Sequence, residues 1–220
     1  MAKRHESDAS ARLAALAQEA AACRRCPLYK DATQTVFGEG NASAALVLVG
    51  EQPGNQEDLQ GHPFVGPAGG ILDRALAEAG LDRGSVYLTN AVKHFKHEAR
   101  GKRRLHKRPN RYEIEQCRWW LERELAVIKP ALVVALGATA AHTLAGCALT
   151  LSRERGHILS FQNGLQGIVT LHPSAILRMP DEKSRHAAFE SLVKDLQMAL
   201  ELAGNEPSRL AKPQMAKVNV

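Results

Sequence analysis

Short apolar runs alternate with longer amphipathic segments through most of the chain. Four runs are mainly apolar and end near a glycine or a polar residue, as buried β-strands do; they cover residues 44–49, 86–89, 131–136 and 167–171. Segments with helical spacing cover residues 10–22, 70–79, 112–128, 138–144 and 186–202. Because unbroken apolar strands alternate with helices, we predict an α/β fold. It is a three-layer α/β/α sandwich with a central, mostly parallel four-stranded sheet.

Composition supports a single folded domain over residues 1–203. Of 220 residues, 45% are hydrophobic and 24% are charged, which excludes wholesale disorder and allows a core without disulfides. Residues 204–220 contain two prolines and no periodicity, so we predict a disordered tail. No stretch approaches the length of a membrane-spanning helix, and the first residues lack the apolar centre of a secretory signal. We therefore expect a cytoplasmic protein.

The positive charge of the chain is concentrated in one segment. The chain carries +6, but residues 93–111 contain nine Lys or Arg residues and a single acid, Glu98. This segment alone therefore carries +8, and the rest of the chain is nearly neutral. Such a patch is typical of a contact with a nucleic-acid backbone at one place. The plainer interpretation is a solvated basic loop, and a membrane surface is disfavoured because the segment is not an apolar-faced helix.

Two of the four cysteines form a Cys-x-x-Cys-Pro turn, at Cys23 and Cys26; the others are Cys117 and Cys147. This spacing allows two thiolates to bind one metal ion or one iron–sulfur cluster. A redox pair would need a preceding thioredoxin-like strand, whereas an alanine-rich helix is predicted here. A metal or iron–sulfur site is thus favoured over a redox pair, and two unrelated cysteines are the third interpretation.

The strands of the predicted sheet end in polar residues. Glu51, Asn90 and His172 each follow a strand, and the remaining strand is followed by Gly137-Ala138-Thr139. Ligands of open parallel sheets bind beyond the carboxyl ends of the strands, so these side chains indicate a catalytic site. Phe64 lies between glycine- and proline-rich turns, where it serves either as a stacking platform for a base or as a core residue.

Taken together, these motifs resemble one known family. The motifs are Gly50-Glu51-x-Pro53-Gly54, Pro63-Phe64-Val65-Gly66, Thr89-Asn90 before a lysine, and His172-Pro173-Ser174 with Arg178 downstream. The chain resembles the uracil-DNA glycosylase superfamily over residues 23–202, and most closely its iron–sulfur branch near family 4. Two departures resemble the UdgX type: Lys-His at residues 93–94 replaces Lys-Cys, and a basic insertion occupies residues 101–107.

The resemblance implies that the protein excises uracil from DNA. In the UdgX type the inserted loop presents a histidine that becomes covalently joined to C1′ of the abasic deoxyribose, and His106 matches that histidine. Glu51 is then expected to orient or deprotonate His106. Because imidazole is a poor leaving group from C1′, the expected reaction is a single turnover.

Four further residues are implied in uracil recognition. His172 donates to the negative charge that develops on uracil O2 when the glycosidic bond breaks. Asn90 presents a donor and an acceptor to the uracil edge, which discriminates against cytosine. Phe64 stacks on the flipped base, and Gln52 lies against it through its backbone or its amide.

The resemblance also implies the DNA contacts and a [4Fe–4S] cluster. The expected DNA-binding residues are Lys102, Arg103, Arg104, Lys107, Ser174 and Arg178. The implied cluster ligands are Cys23, Cys26, His94 and Cys117. Imidazole can replace a thiolate at iron, although counting cysteines alone nominates Cys147 as the fourth ligand. The expected partner is uracil-containing DNA, single-stranded and possibly double-stranded, and we expect a monomer.

Two alternative functions stay open at this point. An ordinary multiple-turnover uracil-DNA glycosylase would use His106 only as a phosphate contact. A cluster-bearing DNA-binding or sensor module would bind DNA without regard to uracil and release no base. Asn90 and His172, placed at the sheet edge, favour an enzyme over the second alternative.

Overall fold

A mostly parallel sheet forms the centre of the protein. The computed structural model describes residues 2–204, with side chains from residue 7, so all of the predicted tail but Gly204 lies outside the described residues. The strands of the sheet are β1 (Glu39–Gly40), β2 (Leu46–Gly50), β3 (Tyr87–Asn90), β6 (Leu132–Leu136), β7 (Leu159–Ser160) and β8 (Gln166–Thr170), and two further strands, β4 and β5, lie outside this sheet. The sheet order is β1-β3-β2-β6-β8-β7.

The predicted α/β fold is confirmed, but the predicted count of four strands is too low. The four central strands β3, β2, β6 and β8 are parallel to one another and match the four apolar runs. The two additional strands, β1 and β7, are antiparallel at the edges of the sheet. Each contains only two residues, which is too short to leave a recognisable alternation of apolar and polar positions.

Helices cover both faces of the sheet. One face packs against α1 (Ala2–Ala21), α4 (Arg111–Ile128) and α5 (Ala138–Ala145), and the other against α3 (Pro67–Glu78), α7 (Pro173–Leu177) and α8 (Glu182–Gly204). Strand β2 shows why its sequence lacks alternation: Val47 and Val49 face the first layer, whereas Leu46 and Leu48 face the second. The described part also contains two short α-helices, α2 (Asn55–Gln60) and α6 (Leu151–Glu154). None of the described helices is long and apolar enough to cross a lipid bilayer.

The basic insertion forms a β-hairpin. Strand β4 (His97–Arg100) pairs with β5 (Arg103–His106), and Gly101 adopts a positive φ of 59° in the turn between them. We call residues 97–106 the basic hairpin. His106 pairs with His97 at its base, nearest the main sheet, so the structure holds His106 on a strand where the sequence predicted only a loop.

A buried ion pair joins the sheet to α4 just below the carboxyl ends of the strands. Lys93 Nζ lies 2.5 Å from Glu124 Oε2, and both side chains are almost completely buried. The ammonium also donates to Thr89 Oγ1 and to the backbone oxygen of Asn90. Tyr87 donates its phenolic proton to Glu124 Oε1 at 3.0 Å. Every charge in this network therefore has hydrogen-bonding partners, as a buried pair requires.

Candidate active site

The carboxyl ends of the strands form a narrow slot, which we define by Gly50, Phe64, Asn90 and His172. Gly50 and Asn90 are register partners in neighbouring strands. A Cβ on Gly50 would lie 2.3 Å from Asn90 Oδ1 and 2.7 Å from Phe64 Cζ, so only glycine leaves space here. The Phe64 ring lies 6.3 Å from the His172 ring, tilted by 30°. An amide, an aromatic face and an imidazole thus meet at one place, as predicted for Asn90, Phe64 and His172.

Phe64 is held in place by its backbone. Its φ of 56° is unusual for a bulky residue. A Cβ on Gly69 would lie 1.8 Å from the Phe64 carbonyl oxygen, so the turn requires glycine there. Glu57 accepts hydrogen bonds from the N–H groups of Gly54 and Gly66, which joins the turn after β2 to the turn that carries Phe64. Phe64 also packs into the core beneath the slot, so it is both a core residue and a wall of the site.

His172 is a neutral hydrogen-bond donor. Its Nδ1 accepts from the backbone N–H of Ser174 at 3.1 Å, which leaves the ring proton on Nε2. Nε2 is buried and has no hydrogen-bond partner in the described part of the chain. Burial lowers the pKa of His172 to about 4; nearby Glu51 opposes this, and Arg178 and His106 add to it. The site therefore offers an unused N–H to an acceptor on a bound ligand.

Glu51 and His106 form a second group beside the slot. His106 Nε2 lies 3.4 Å from Glu51 Oε1, and the imidazole is half-exposed. Thr139 donates its hydroxyl proton to the other oxygen of Glu51, Oε2. Burial tends to raise the pKa of Glu51, but the hydrogen bonds from His106 and Thr139 outweigh it and lower that pKa. Glu51 is therefore an ionised acceptor next to an accessible imidazole.

The side chain of Gln52 holds the basic hairpin rather than facing the slot. Its Nε2 donates to the carbonyl oxygens of Lys96 and Lys107, at 3.2 and 3.1 Å, and its Oε1 accepts from the N–H of Lys96. These residues flank the two strands of the hairpin. Both polar atoms of the amide are thus occupied, and only the backbone of Gln52 is left to contact a ligand.

The predicted DNA-binding cations have different environments. The side chains of Lys102 and Arg103 are exposed and make no hydrogen bond or ion pair among the described residues. Lys107 pairs with Glu98 across the hairpin at 2.8 Å, and Arg178 donates to Ser174 Oγ.

Arg104 is turned into the protein, although the sequence predicted a DNA contact. Its guanidinium donates to Asp58, Asn55 and Thr33, and it lies over the ring of Phe95. Asp58 is completely buried and needs this partner. In the structure Arg104 therefore anchors the hairpin, a role that its charge alone does not reveal.

Three of the four cysteines lie close together. Burial raises the pKa of Cys117 to about 12, with Cys26 and Cys23 near enough to raise it electrostatically. Cys117 Sγ accepts a hydrogen bond from the backbone N–H of Lys93 at 3.1 Å, which brings the next residue, His94, to the same region.

Cys23 and Cys147 differ in their surroundings. Cys23 Sγ accepts a hydrogen bond from the indole N–H of Trp120 at 3.2 Å. Cys147 makes no hydrogen bond or electrostatic contact with the other three cysteines among residues 2–204.

The residues of the cysteine group have the chemistry of iron–sulfur ligands. Thiolates hold such clusters, and a histidine can replace a thiolate. No group of three or more His, Cys, Asp or Glu side chains in the described range has the arrangement of a metal-ion site. His94 has a buried Nδ1 without a hydrogen-bond partner in the described residues, while its Nε2 contacts Thr35 Oγ1 at 3.0 Å. The unpartnered Nδ1 of His94 is free to bind iron. The N–H groups that donate to Cys117 Sγ and Cys23 Sγ would stabilise these sulfurs as thiolate ligands.

Thr139 is the residue at this site that sequence reasoning did not single out. It is buried at the start of α5, directly after strand β6. Its position at a strand end was visible in the sequence, but threonine carries no charge and matches no motif. Its contact with Glu51 is visible only in the structure.

Comparison with known proteins gives a consistent result. A sequence model described as the uracil DNA glycosylase superfamily matches residues 37–197. The type-4 uracil-DNA glycosylase of Thermotoga maritima is 36% identical over 173 residues, covering 78% of this chain and 86% of that protein. The type-4 uracil-DNA glycosylases of Archaeoglobus fulgidus and Pyrobaculum aerophilum are also 36% identical, over 178 and 165 residues. Those alignments cover 78% and 72% of this chain, and 86% and 81% of the relatives.

The pKa of His172 can be measured directly. With a pKa of about 4 the ring stays neutral at pH 6, and we expect nitrogen-15 NMR to show the Nε2–H tautomer there. The variant His172→Gln identifies the signal by its loss. Since the unfolded chain takes up this proton near pH 6.5, the folded state should lose stability as the pH falls from about 6.5 to about 4. A ring that titrates near pH 6.5 in the folded protein would contradict this environment.

Proposed function

This chain belongs to the uracil-DNA glycosylase superfamily, and we propose that it excises uracil from DNA and then keeps the abasic sugar covalently bound to His106. The proposed covalent bond to His106 rests on one contact: His106 Nε2 lies 3.4 Å from Glu51 Oε1 at the edge of the slot. A half-exposed imidazole beside an ionised carboxylate is an arrangement for a nucleophile and its base. The basic insertion, which resembles that of the UdgX type, supports the same assignment.

The slot accounts for recognition of a flipped uracil. Phe64 supplies the stacking face, and Asn90 offers both a donor and an acceptor to the edge of the base. The absent side chain at Gly50 leaves the space between them. The unpartnered Nε2–H of His172 is the donor for uracil O2, where negative charge develops. Because this Nε2 is buried and has no partner among the described residues, it donates to a ligand without first giving up another hydrogen bond.

The covalent step follows from these roles. The bond between C1′ and uracil N1 breaks, and its electron pair leaves with the base, which His172 stabilises as an anion. The sugar becomes oxocarbenium-like, and one ring nitrogen of His106 forms the new bond to C1′. The remaining ring proton of His106 passes through Glu51 and solvent to the uracil anion, so Glu51 ends the reaction ionised, as it began. One uracil is thus released for each protein molecule, and His106 is consumed.

The multiple-turnover alternative assigns His106 to a phosphate contact. The structure gives a specific reason to prefer the nucleophile. Lys102 and Arg103 are exposed and unpaired among the described residues, so the hairpin already has cations for phosphate. His106 instead pairs with a carboxylate, which would repel a phosphate.

The proposal is tested by mixing the protein with a uracil-containing oligonucleotide and analysing the mixture on a denaturing gel. We expect a uracil-dependent band that survives SDS and heat, and its absence with a thymine control. His106→Ser should remove the band and convert the protein to repeated uracil release, because water then reaches C1′. Arg100→Ser is the matched control, since it removes an exposed charge from the same hairpin and leaves His106 in place.

Each other outcome points to a different function. Abasic sites in excess over protein, without a shifted band, would establish the multiple-turnover glycosylase. Salt-sensitive binding indifferent to uracil, with no base released, would establish the DNA-binding module.

We further propose that Cys23, Cys26, Cys117 and His94 hold a [4Fe–4S] cluster. The three cysteines lie together, and the orphaned Nδ1 of His94 supplies a fourth donor. When bound, the cluster cross-links the N-terminal turn, the segment after β3 and α4. Nothing in the proposed reaction passes through it, so its role is to brace the region from which the basic hairpin projects.

Iron analysis tests this ligand set. We expect about four iron atoms per wild-type protein and about as many in Cys147→Ala. His94→Ala should lose most of the iron, whereas His94→Cys should keep it, because a thiolate can take the same position. Iron retained in His94→Ala but lost in Cys147→Ala would overturn the assignment.

A further inference from the structure

We propose that Thr139 is a positioning residue: it fixes which oxygen of Glu51 faces His106, and it links that carboxylate to Arg108, two residues after the basic hairpin. The inference rests on the proposed function, because it concerns the same nucleophile. Neither motif resemblance nor net charge points to Thr139. What carries the proposal is a continuous chain of contacts from Arg108 through Thr139 and Glu51 to His106.

The chain of contacts divides the two oxygens of Glu51 between two partners. The Thr139 hydroxyl occupies Oε2, and His106 Nε2 lies 3.4 Å from Oε1. Arg108 Nε donates to Thr139 Oγ1 at 3.2 Å and lies 3.9 Å from Glu51 Oε2. With Oε2 held, the carboxylate cannot rotate freely, and Oε1 stays directed at the imidazole.

The direction of the Thr139 proton is fixed by its two neighbours. A guanidinium only donates hydrogen bonds, and an ionised carboxylate only accepts them. Thr139 must therefore accept from Arg108 and donate to Glu51, which is the one arrangement that satisfies all three groups. Both bonds involve a charged partner and are accordingly stronger than neutral ones.

Thr139 is suited to this task because its backbone is rigidly placed. It lies in the first turn of α5, straight after the central strand β6, and its side chain is buried. Thr143 Oγ1 donates to the Thr139 carbonyl oxygen at 2.8 Å, which ties the residue to its own helix. Glu51 and Arg108 come from loops, so the sheet and helix supply the fixed reference for both. Through its hydrogen bond to Thr139, Arg108, two residues after His106, is thereby fixed to the edge of the sheet.

The electrostatics give this role a measurable consequence. The charged and titratable groups around Glu51 are His106, Arg108 and His172. Burial pushes the Glu51 pKa upward, and the hydrogen bonds from His106 and Thr139 bring it below its ordinary value. Loss of the Thr139 hydroxyl should therefore raise the Glu51 pKa while leaving His106, Arg108 and His172 in place.

The test compares Thr139→Val, which keeps the shape without the hydroxyl, with Thr139→Ser, which keeps the hydroxyl. In the full-length protein, single-turnover formation of the covalent band should slow roughly 10- to 100-fold in Thr139→Val and stay near wild type in Thr139→Ser. When the rate of covalent-band formation is plotted against pH, the acid limb should move to higher pH in Thr139→Val but not in Thr139→Ser. Carbon-13 NMR of the Glu51 carboxyl group, in protein without DNA, should show the same upward shift of its pKa.

The outcomes separate the inference from the proposed function. If wild type forms no covalent band, the proposed function fails, and the NMR measurement still decides whether Thr139 sets the state of Glu51. Thr139→Val with an unchanged Glu51 pKa would overturn the inference even in an active enzyme. If the rate of covalent-band formation fell equally in Thr139→Val and Thr139→Ser, with an unchanged dependence on pH, Thr139 would contribute only packing. That result would also overturn the inference.

Discussion

The buried ion pair between Lys93 and Glu124 is the constraint on which the rest of the site depends. Leaving one partner of such a buried pair without the other costs about 3–5 kcal/mol of stability. The pair therefore fixes the position of helix α4 against the sheet. Lys93 also donates from Nζ to the carbonyl oxygen of Asn90 and from its backbone N–H to Cys117 Sγ. One residue therefore contacts the end of strand β3 on one side and the cysteine group on the other.

The site has two parts that are built differently. The slot stands on parallel strands and on a strained turn at Phe64, and this rigidity suits the discrimination of one flipped base. The proposed nucleophile, His106, lies on the basic hairpin, whose hydrogen bonds to the rest of the described chain come chiefly from the side chains of Gln52 and Arg104. In the proposed reaction, bond breaking in the slot and capture by His106 are therefore separate tasks of separate elements.

Much of this architecture could be predicted from the sequence because it depends on simple patterns. Apolar runs revealed the four central strands, and the rule for parallel sheets placed Glu51, Asn90 and His172 at one edge. The hairpin was missed because its polar, exposed strands carry no apolar signal. Arg104 shows a second limit: the sequence reveals its charge, but not that it pairs with the buried carboxylate of Asp58, 46 residues away. Thr139 shows a third, since its importance lies wholly in its contacts.

Covalent capture by His106 is the central claim, and intact-mass spectrometry of the reaction with a uracil-containing oligonucleotide tests it most directly. The account predicts one product whose mass is the sum of protein and oligonucleotide less one uracil. After digestion with trypsin and nuclease, the sugar should remain on the short peptide between Arg104 and Lys107, which contains His106. Unmodified protein with free uracil in excess, or a sugar attached to any other residue, would contradict the account.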